Sequence, residues 1–382
     1  MIRNEKIKVV QLVPQLPTGG AESLVKDYAI MLDDNKFDTT VIVNNRKMDT
    51  ANEIQLEEAG KKIVYLYRNF EFSLISRAFW KVFGRHGYLR TYRALKKEKP
   101  DVIHIHLSLF NRFSSGRAAN DYAKRNNAKI FFTIHTDAKK IFGKKTKHKS
   151  RQEYLHKNKN IRLIALHDAM KSELNEFFSV DNTVTILNGI NMERFKNPGK
   201  SKAEIRSEIG IMQQAFVIGH VGRMIPVKNH IFIIKIFNEA LLRNPDTHLF
   251  LIGDGGLEKN VLAQIEELNL QDKVTILKNR KDVNELIHAM DVFVLPSLFE
   301  GIPVTLIEAQ ASGLKCVVSD RIYEEAFVTD KVFPLNIDES PEKWCDIILD
   351  DTIKGTYSNR LNDYDMKNVI KKLEKLYLGE LD

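Results

Sequence analysis

The chain alternates short apolar runs with stretches of helical periodicity, and this alternation continues through most of its length. In the first half, six apolar runs have the length of strands, at residues 7–13, 39–43, 62–66, 102–105, 129–134 and 162–166. Stretches between them, such as 21–32 and 115–125, have apolar residues three and four apart and predict helices. Strands that alternate with helices predict a parallel sheet covered by helices on both faces.

The second half repeats this pattern. Strands are predicted at residues 216–221, 248–252, 273–277, 292–295 and 315–319, and helices at 229–242, 257–268, 283–289 and 304–312. Residues 188–201, rich in Asn, Gly, Pro and Lys, predict a linker between the halves. The fold class is therefore α/β, with two Rossmann-like domains. Parallel sheets bind ligands at the carboxyl ends of their strands, so we expect the two domains to face each other across a ligand-binding cleft.

A last helix is predicted at about residues 363–378. It has an apolar stripe that must be buried, consisting of Met366, Val369, Ile370, Leu373 and Tyr377. We expect three parts: residues 1–190 as an acceptor-binding domain, 191–362 as a nucleotide-sugar-binding domain, and 363–382 as a helix packed back on the first.

The length, the cysteine count and the lengths of the apolar stretches narrow the class of protein. The length of 382 residues is suited to two domains, and the two cysteines, Cys316 and Cys345, argue against a disulfide framework. The first apolar run is too short for a signal-peptide core, and no apolar stretch approaches the ~20 residues of a spanning helix. We therefore expect a cytoplasmic protein.

The charge is unevenly distributed. Residues 1–190 hold 34 Lys/Arg against 20 Asp/Glu, a net charge of +14, whereas residues 191–382 hold 24 against 30, a net of −6. Nine of the cations lie in residues 139–159, and residues 70–99 mix aromatic with basic side chains. These segments have two interpretations, which the sequence supports equally. Either they bind an anionic membrane surface, or they are a solvated loop and a helix whose aromatic side chains lie in the core. No nucleic-acid-binding module is recognisable.

A glycine turn follows the first predicted strand. Gly19 and Gly20 precede Ala21 and Glu22, where the first helix opens. Glycines allow a close approach of the backbone, and the free amides of a helix N-terminus favour an anion. The alternative is a tight strand–helix turn, but the position at the carboxyl end of the first strand favours the anion site.

A basic loop follows the first strand of the second half. Arg223 and Lys228 lie five residues apart there and can converge on a diphosphate, Arg as a bidentate fork and Lys as a point charge. Two solvated surface cations are an equally good interpretation of this loop alone.

The strongest motif spans residues 299–309. Glu300 lies in a loop before Gly301, Ile302 and Val304, and Glu308 lies in the next helix. Spacing of eight residues can bring both carboxylates to one side of a helix, and a carboxylate suits sugar hydroxyls. Gly301 permits an unusual backbone angle, so nearby amides can face phosphate. Two solvated glutamates are the alternative, disfavoured for Glu308 by its apolar helix.

Histidines end two predicted strands. His104 and His106 close one and His135 the next, where a ligand is expected. A single histidine commonly has a structural role, which is the alternative here. The His-x-His pattern could also bind a metal, but the sequence shows no third ligand, which disfavours a metal site. Two further motifs, 253–256 (Gly-Asp-Gly-Gly) and 363–365 (Asp-Tyr-Asp), are weak signals for a dinucleotide and a metal respectively.

Together these motifs resemble the large retaining glycosyltransferase family four, or group one, of GT-B fold. The resemblance covers nearly the whole chain and also includes the Thr-Val-Thr-Ile-Leu-Asn-Gly-Ile-Asn stretch at 183–191. It implies that Gly20 contacts the donor phosphate and that His135 lies over the donor sugar and takes part in catalysis. Arg223 and Lys228 would then bind the diphosphate and stabilise the leaving group.

The resemblance also implies that Glu300 binds donor sugar hydroxyls, that Glu308 holds the ribose, and that the loop around Arg280 meets the base. It implies retention at the anomeric carbon, a nucleotide-sugar substrate with uridine favoured, and no cofactor or metal. From the charge asymmetry we expect peripheral attachment to the inner membrane face and a lipid-linked saccharide acceptor, as in capsule or exopolysaccharide assembly, although a soluble saccharide acceptor stays open. A sugar-nucleotide 2-epimerase, a glycogen- or sucrose-type synthase and a non-catalytic binding protein are the alternatives.

Overall fold

The computed structural model describes residues 5–17, 20–67, 79–106, 115–135 and 148–381. Within these residues the chain divides into two compact units. One unit contains residues 1–188 together with 367–382, and the other contains residues 189–366.

The first unit is built on a parallel sheet. Its strands are β1 (Ile7–Val13), β2 (Phe37–Val43), β3 (Lys62–Tyr65), β4 (Val102–Ile105), β5 (Lys129–Thr133), β6 (Ile161–Ala165) and β7 (Thr183–Thr185). Its helices are α1 (Gly20–Met31), α2 (Ala51–Glu58), α3 (Phe79–Glu98), α4 (Ser115–Asn126), α5 (His148–Lys157) and α6 (Asp168–Phe178). The strand order is β3-β2-β1-β4-β5-β6-β7.

The second unit repeats the scheme. Its strands are β8 (Phe216–Val221), β9 (Thr247–Ile252), β10 (Val274–Leu277), β11 (Val292–Leu295), β12 (Lys315–Ser319) and β13 (Val332–Leu335). Its helices are α7 (Met192–Lys196), α8 (Lys202–Glu208), α9 (His230–Arg243), α10 (Glu258–Glu267), α11 (Val283–Leu286), α12 (Val304–Ala311) and α13 (Pro341–Leu349). The last helix, α14 (Met366–Leu378), belongs to the first unit from Lys367 onward. The strand order β10-β9-β8-β11-β12-β13 is again that of a doubly wound sheet.

Each sheet is covered by apolar helix faces, as expected for parallel strands that are buried on both sides. In the second unit, Ile233 and Phe237 of α9 pack with Leu249 and Val292 of the sheet, and all four are fully buried. The first unit has an equivalent core around Ile103, Ile130 and Leu163. The predicted α/β class with two parallel sheets is confirmed.

Two edge strands escaped prediction. β7 has only three residues, and β13 contains Pro334, which cannot donate a hydrogen bond and is tolerated only at an edge. The last helix begins at Met366 rather than near 363, because residues 361–364 form a 3₁₀ turn.

The apolar stripe of α14 is buried, and its residue Tyr377 packs against Phe37 and Phe131 of the first unit. Glu374 Oε1 accepts a hydrogen bond from the backbone N–H of Asp33 (2.9 Å), and Lys129 donates to the carbonyl of Tyr377 (3.0 Å). Residues 367–382 accordingly belong to the first unit.

Candidate active site

The second sheet changes winding direction between β8 and β11, and loops that leave such neighbouring strands diverge and open a crevice at their carboxyl ends. Residues 222–229 follow β8, and residues 296–303 follow β11. The backbone N–H of Leu298 donates to the carbonyl of Val227 (2.9 Å), so the two loops are joined directly.

Lys228 and Glu300 meet across these loops. Lys228 Nζ lies 2.7 Å from Glu300 Oε1, and the Ser297 hydroxyl donates to the same oxygen (3.2 Å). The two side chains are only 14% and 18% exposed, so water screens their attraction less than it does for a surface pair. Arg223 is exposed in the same loop as Lys228, and its guanidinium has no hydrogen-bond or ion-pair partner within the described part of the chain.

The Gly-Asp-Gly-Gly segment after β9 supports this basic loop. The backbone N–H of Met224 donates to the carbonyl of Asp254 (2.6 Å). A Cβ on Gly253 would lie 2.0 Å from the Gly222 carbonyl oxygen, and one on Gly255 would lie 2.6 Å from that of Met224. Both glycines have φ near +150°, which side chains disfavour. Their role in the structure is close backbone packing against the loop that carries Arg223.

Helix α12 begins at Val304, as predicted. Glu300 lies outside the helix, in an isolated bridge with Ile322, so helical spacing does not align its carboxylate with that of Glu308. Pro303 caps the helix without a side-chain acceptor, which leaves its first amides available to an anion.

Glu308 lies in the fifth position of α12 and is half-buried. Burial raises the pKa of its carboxyl to about 7, and the positive charge of Arg194 opposes this rise. The Arg194 guanidinium is held by Asn284 Oδ1 (2.9 Å). Among the residues that the structure describes, nothing donates a hydrogen bond to the Glu308 carboxylate, so both of its oxygens can accept from hydroxyls.

Sequence reasoning missed Arg194. It lies on the short helix α7, directly after the Asn-Gly-Ile-Asn stretch, and α7 packs on α12. No local pattern pointed to it, because its proximity to Glu308 arises only when the chain folds.

Arg280 follows β10, the edge strand two positions from β8. Its guanidinium is bound by both oxygens of Asp282, at 2.8 and 2.5 Å. No contact in the described residues joins it to the Lys228–Glu300 pair, so its expected contact to the base stays a prediction.

The first sheet also reverses, between β1 and β4. Gly20 opens α1 after β1, is exposed, and has no atom within 4 Å of where a Cβ would stand. Gly19 lies outside the described residues. His106 and His135 follow the neighbouring strands β4 and β5, and His106 Nδ1 lies 2.9 Å from His135 Nε2. Burial lowers the pKa of His135 to about 4, so the ring is neutral at physiological pH.

His104 has a different environment from the other two histidines. Its Nδ1 lies 2.6 Å from the Tyr377 hydroxyl and its Nε2 lies 2.6 Å from Thr133 Oγ1. Both ring nitrogens are therefore engaged inside the protein, which leaves neither for a metal. No cluster of three or more His, Cys, Asp or Glu that could hold a metal occurs in the described segments.

The two basic segments are described only in part, since residues 70–78 and 139–147 lie outside the described residues. Lys149, Lys157 and Lys159 are exposed on and after α5. In α3, the Tyr88 hydroxyl donates to Asp121 (2.7 Å) and the Arg90 guanidinium lies 4.4 Å from the centre of the Tyr67 ring. These two side chains therefore contact the protein itself. None of the helices in the described ranges is long and apolar enough to span a bilayer.

Two doubly wound parallel sheets, with a glycine turn after β1 and a basic loop after β8, are the architecture of the GT-B fold. The family profile "Glycosyltransferase Family 4" matches residues 18–194, and "Glycosyl transferases group 1" matches residues 201–336. A UDP-Gal:alpha-D-GlcNAc-diphosphoundecaprenol alpha-1,3-galactosyltransferase of Escherichia coli is 30% identical over 334 residues, covering 83% of this chain and 80% of the relative. The chain therefore belongs to the group 1 glycosyltransferases of family 4.

Other similar proteins agree with this assignment. The putative glycosyltransferase EpsF of Bacillus subtilis is 38% identical over 162 residues, 42% of each chain. The capsular polysaccharide biosynthesis glycosyltransferase CapH of Staphylococcus aureus is 23% identical over 98% of this chain and 99% of its own. The crystal structure of Anabaena HepE in complex with UDP and glucose has a TM-score of 0.74 at 18% identity, with 98% and 100% of the two chains covered. The chain thus has relatives in polysaccharide biosynthesis and shares the GT-B fold.

Proposed function

We propose that the protein is a retaining, metal-independent glycosyltransferase that moves a sugar from a UDP-sugar to a lipid-linked saccharide in capsule or exopolysaccharide assembly. The observation that supports this most is the placement of Lys228 and Glu300 as a pair, with Arg223 free in the same loop as Lys228, at the switch point of the second sheet.

The cations suit a leaving diphosphate. Arg223 can bind two phosphate oxygens at once, and Lys228 adds a point charge 2.7 Å from Glu300 that a phosphate can share or take over. The uncapped amides at the start of α12 add dipoles aimed at the same kind of charge. Preorganised positive groups of this sort stabilise charge as it develops, and we propose that they take the place of a metal ion.

The carboxylates suit hydroxyls. The Glu308 carboxylate, without a hydrogen-bond donor among the described residues, can accept from both hydroxyls of a ribose. Glu300 can accept from a donor sugar hydroxyl once Lys228 turns to the diphosphate. For Gly20 and His135 we propose the roles that the family resemblance implies, a phosphate contact and a sugar contact, with Gly19 and the backbone at Gly301, Ile302 and Val304 as further donor contacts.

The acceptor proposal rests on different support. The Escherichia coli relative is named for a sugar linked to diphosphoundecaprenol, a lipid. The first half of this chain has a net charge of +14, and the exposed Lys149, Lys157 and Lys159 can approach anionic headgroups. Flotation with anionic and with neutral vesicles tests this attachment; absence from both would remove it.

The donor site is tested by thermal unfolding in the presence of UDP, GDP or ADP, with and without EDTA. A ligand that binds the native state raises its melting temperature by mass action. We expect a shift with UDP that EDTA does not change, that is lost in Arg223→Ala and that is kept in Lys259→Ala, which removes an exposed cation on α10. No shift with any nucleotide would reject the proposal. Proton NMR of the first product formed tests retention, because the two anomers have different coupling constants.

A further inference from the structure

A continuous chain of hydrogen bonds crosses the core of the first unit and ends at His135. Its members come from three strands and their carboxyl ends, β1, β4 and β5, and from the last helix. In order they are Thr133, His104, Tyr377, Gln11, His106 and His135. Gln11, His104 and Tyr377 are at most 1% exposed, so water does not compete for these bonds.

Gln11 lies at the centre of this chain. Its Nε2 donates to the Tyr377 hydroxyl oxygen (3.0 Å), and its Oε1 lies 2.9 Å from His106 Nε2. The amide therefore presents a donor to one side and an acceptor to the other. Each neighbour must supply the complementary group.

The histidines in the chain are neutral, which makes their tautomers a question of hydrogen bonding alone. Burial lowers the pKa of His104 to about 3 and that of His106 well below its ordinary value, and the pKa of His135 is about 4. Burial also raises the pKa of Tyr377, so it stays a phenol. A neutral imidazole has one N–H and one lone pair.

The direction of each hydrogen bond in the branch between Gln11 and His135 follows from the orientation of the Gln11 amide. Because Gln11 Oε1 can only accept, His106 carries its proton on Nε2. His106 Nδ1 then has the lone pair and accepts from His135 Nε2 at 2.9 Å. His135 therefore keeps its lone pair on Nδ1, for which the described residues offer no donor.

The other branch is consistent with the same amide orientation. Tyr377 accepts from Gln11 and donates its O–H to His104 Nδ1 (2.6 Å), and His104 Nε2–H donates to Thr133 Oγ1 (2.6 Å). Rotating the Gln11 amide by half a turn would reverse every bond in both branches and would move the proton of His135 to Nδ1. The orientation of this one amide thus decides what His135 offers.

We propose that Gln11 and His106 are positioning residues that hold His135 in its Nε2–H tautomer, so that Nδ1 accepts a hydrogen bond from a substrate hydroxyl. Tyr377 fixes the orientation of the Gln11 amide, so the last helix, α14, contributes to the site. The proposal rests on the proposed function for the role of His135, but the tautomer itself can be measured without any activity.

The experiment is long-range proton–nitrogen NMR on the full chain labelled with ¹⁵N-histidine, with the His135 signals assigned by their loss in His135→Gln. Nitrogen shifts distinguish a protonated from an unprotonated ring nitrogen. We expect Nε2–H for His135 in the wild type and in Gln11→Glu, whose neutral carboxyl can still accept from His106 and donate to Tyr377. We expect a mixture of tautomers in Gln11→Leu and in Tyr377→Phe, which removes only the hydroxyl.

Thr133→Val is the matched control, because it breaks the chain at the end away from His135 and should leave the His135 tautomer unchanged. Nδ1–H in the wild type, or no change in Gln11→Leu and Tyr377→Phe when both melt cooperatively, would overturn the proposal. If Gln11→Leu does not fold, Tyr377→Phe decides.

Kinetics then separate this inference from the proposed function. We expect Gln11→Leu to lower kcat by roughly 10–100-fold, as loss of an orienting partner does elsewhere, with the KM for the donor little changed. Gln11→Glu should restore most of kcat. A protein that transfers no sugar from any donor would reject the proposed function while the NMR result still stands, whereas full kcat in Gln11→Leu would reject the positioning role alone.

Discussion

Lys228 and Glu300 form an ion pair with 2.7 Å between Nζ and Oε1, although they follow different strands, β8 and β11, and lie far apart in the sequence. Each charge compensates the other while no ligand is bound. In the proposed function, a donor diphosphate would offer Lys228 a second anion, and the Glu300 carboxylate would then be free for hydroxyls. The pair would thereby link the binding of the phosphates to the binding of the sugar.

The first prediction concerns this pair. We expect Lys228→Met and Glu300→Gln to be coupled in a double-mutant cycle of urea unfolding by about 1–2 kcal/mol, more than an exposed pair, because both side chains are mostly buried. UDP affinity should fall strongly in Lys228→Met and should stay or rise in Glu300→Gln, since the lysine then lacks a competing anion. Calorimetric titration with UDP measures this.

The exposed pair Arg243–Asp346, at 2.6 Å, is the matched control on the same unit. Its cycle should give a coupling of ~0.2–1 kcal/mol, and neither variant should change UDP affinity. Equal coupling in both pairs, or a large loss of UDP affinity in Glu300→Gln, would contradict the account.

The second prediction concerns the glycines that support the basic loop. Gly253→Ala should lower the free energy of unfolding by more than about 2 kcal/mol, because its Cβ would meet the Gly222 carbonyl oxygen at 2.0 Å and its φ of +150° is strained for alanine. Displacing Gly222 also moves Arg223, so UDP affinity should fall in the folded fraction. Urea unfolding and UDP titration measure the two effects.

Gly256→Ala provides the control within the same turn, because a Cβ there meets nothing within 4 Å. It should leave both stability and affinity nearly unchanged. Similar losses in the two variants would show that the close approach at Gly253 is not the cause.

The sequence predicted most of this fold because parallel strands buried on both faces are continuous apolar runs. It failed where that signal was weak, at β7 with three residues and at β13 with Pro334. Arg223, His106 and His135 were singled out because they lie just after strands. Gln11 was not predicted as a site residue because it lies inside β1, and the sequence does not show which residues a buried polar side chain contacts. Tyr377 was predicted only as an apolar residue, because its hydroxyl contacts, Gln11 in β1 and His104 in β4, lie 366 and 273 residues away along the chain.

The third prediction is a loss of stability at mildly acidic pH. Burial lowers the native-state pKa values of seven histidines among the described residues, which are His104, His106, His135, His220, His230, His248 and His288. The unfolded chain takes up these protons near pH 6.5 and the native state does not, so stability is complete above that pH and decreases as the pH falls toward about 4. Each histidine adds up to about 1.4 kcal/mol per pH unit to the slope in this window.

Urea midpoints between pH 7.5 and 4.5 measure this slope. His248→Gln should make it shallower by about one proton, because burial lowers the pKa of His248 to about 4. His156→Gln, at an exposed position on α5, should leave it unchanged. A stability that is flat from pH 6.5 to 5 would show that these rings are protonated without cost.

The fourth prediction concerns Glu308, whose linkage has the opposite sign. Burial raises its pKa to about 7 in the native state, so its favourable contribution to stability is present below its unfolded pKa and is lost as the pH rises through about 7. Glu308→Gln should therefore stabilise the ligand-free protein at pH 8 more than at pH 5.

The same carboxyl should make UDP affinity depend on pH. The ionised carboxylate accepts two hydroxyls, so UDP should bind more tightly at high pH, and the affinity should fall about tenfold between pH 8 and pH 6. Calorimetric titrations of wild type and Glu308→Gln across this range separate the carboxylate from the UDP phosphates, which titrate equally in both. Parallel pH profiles for the two proteins would remove Glu308 from the ribose site.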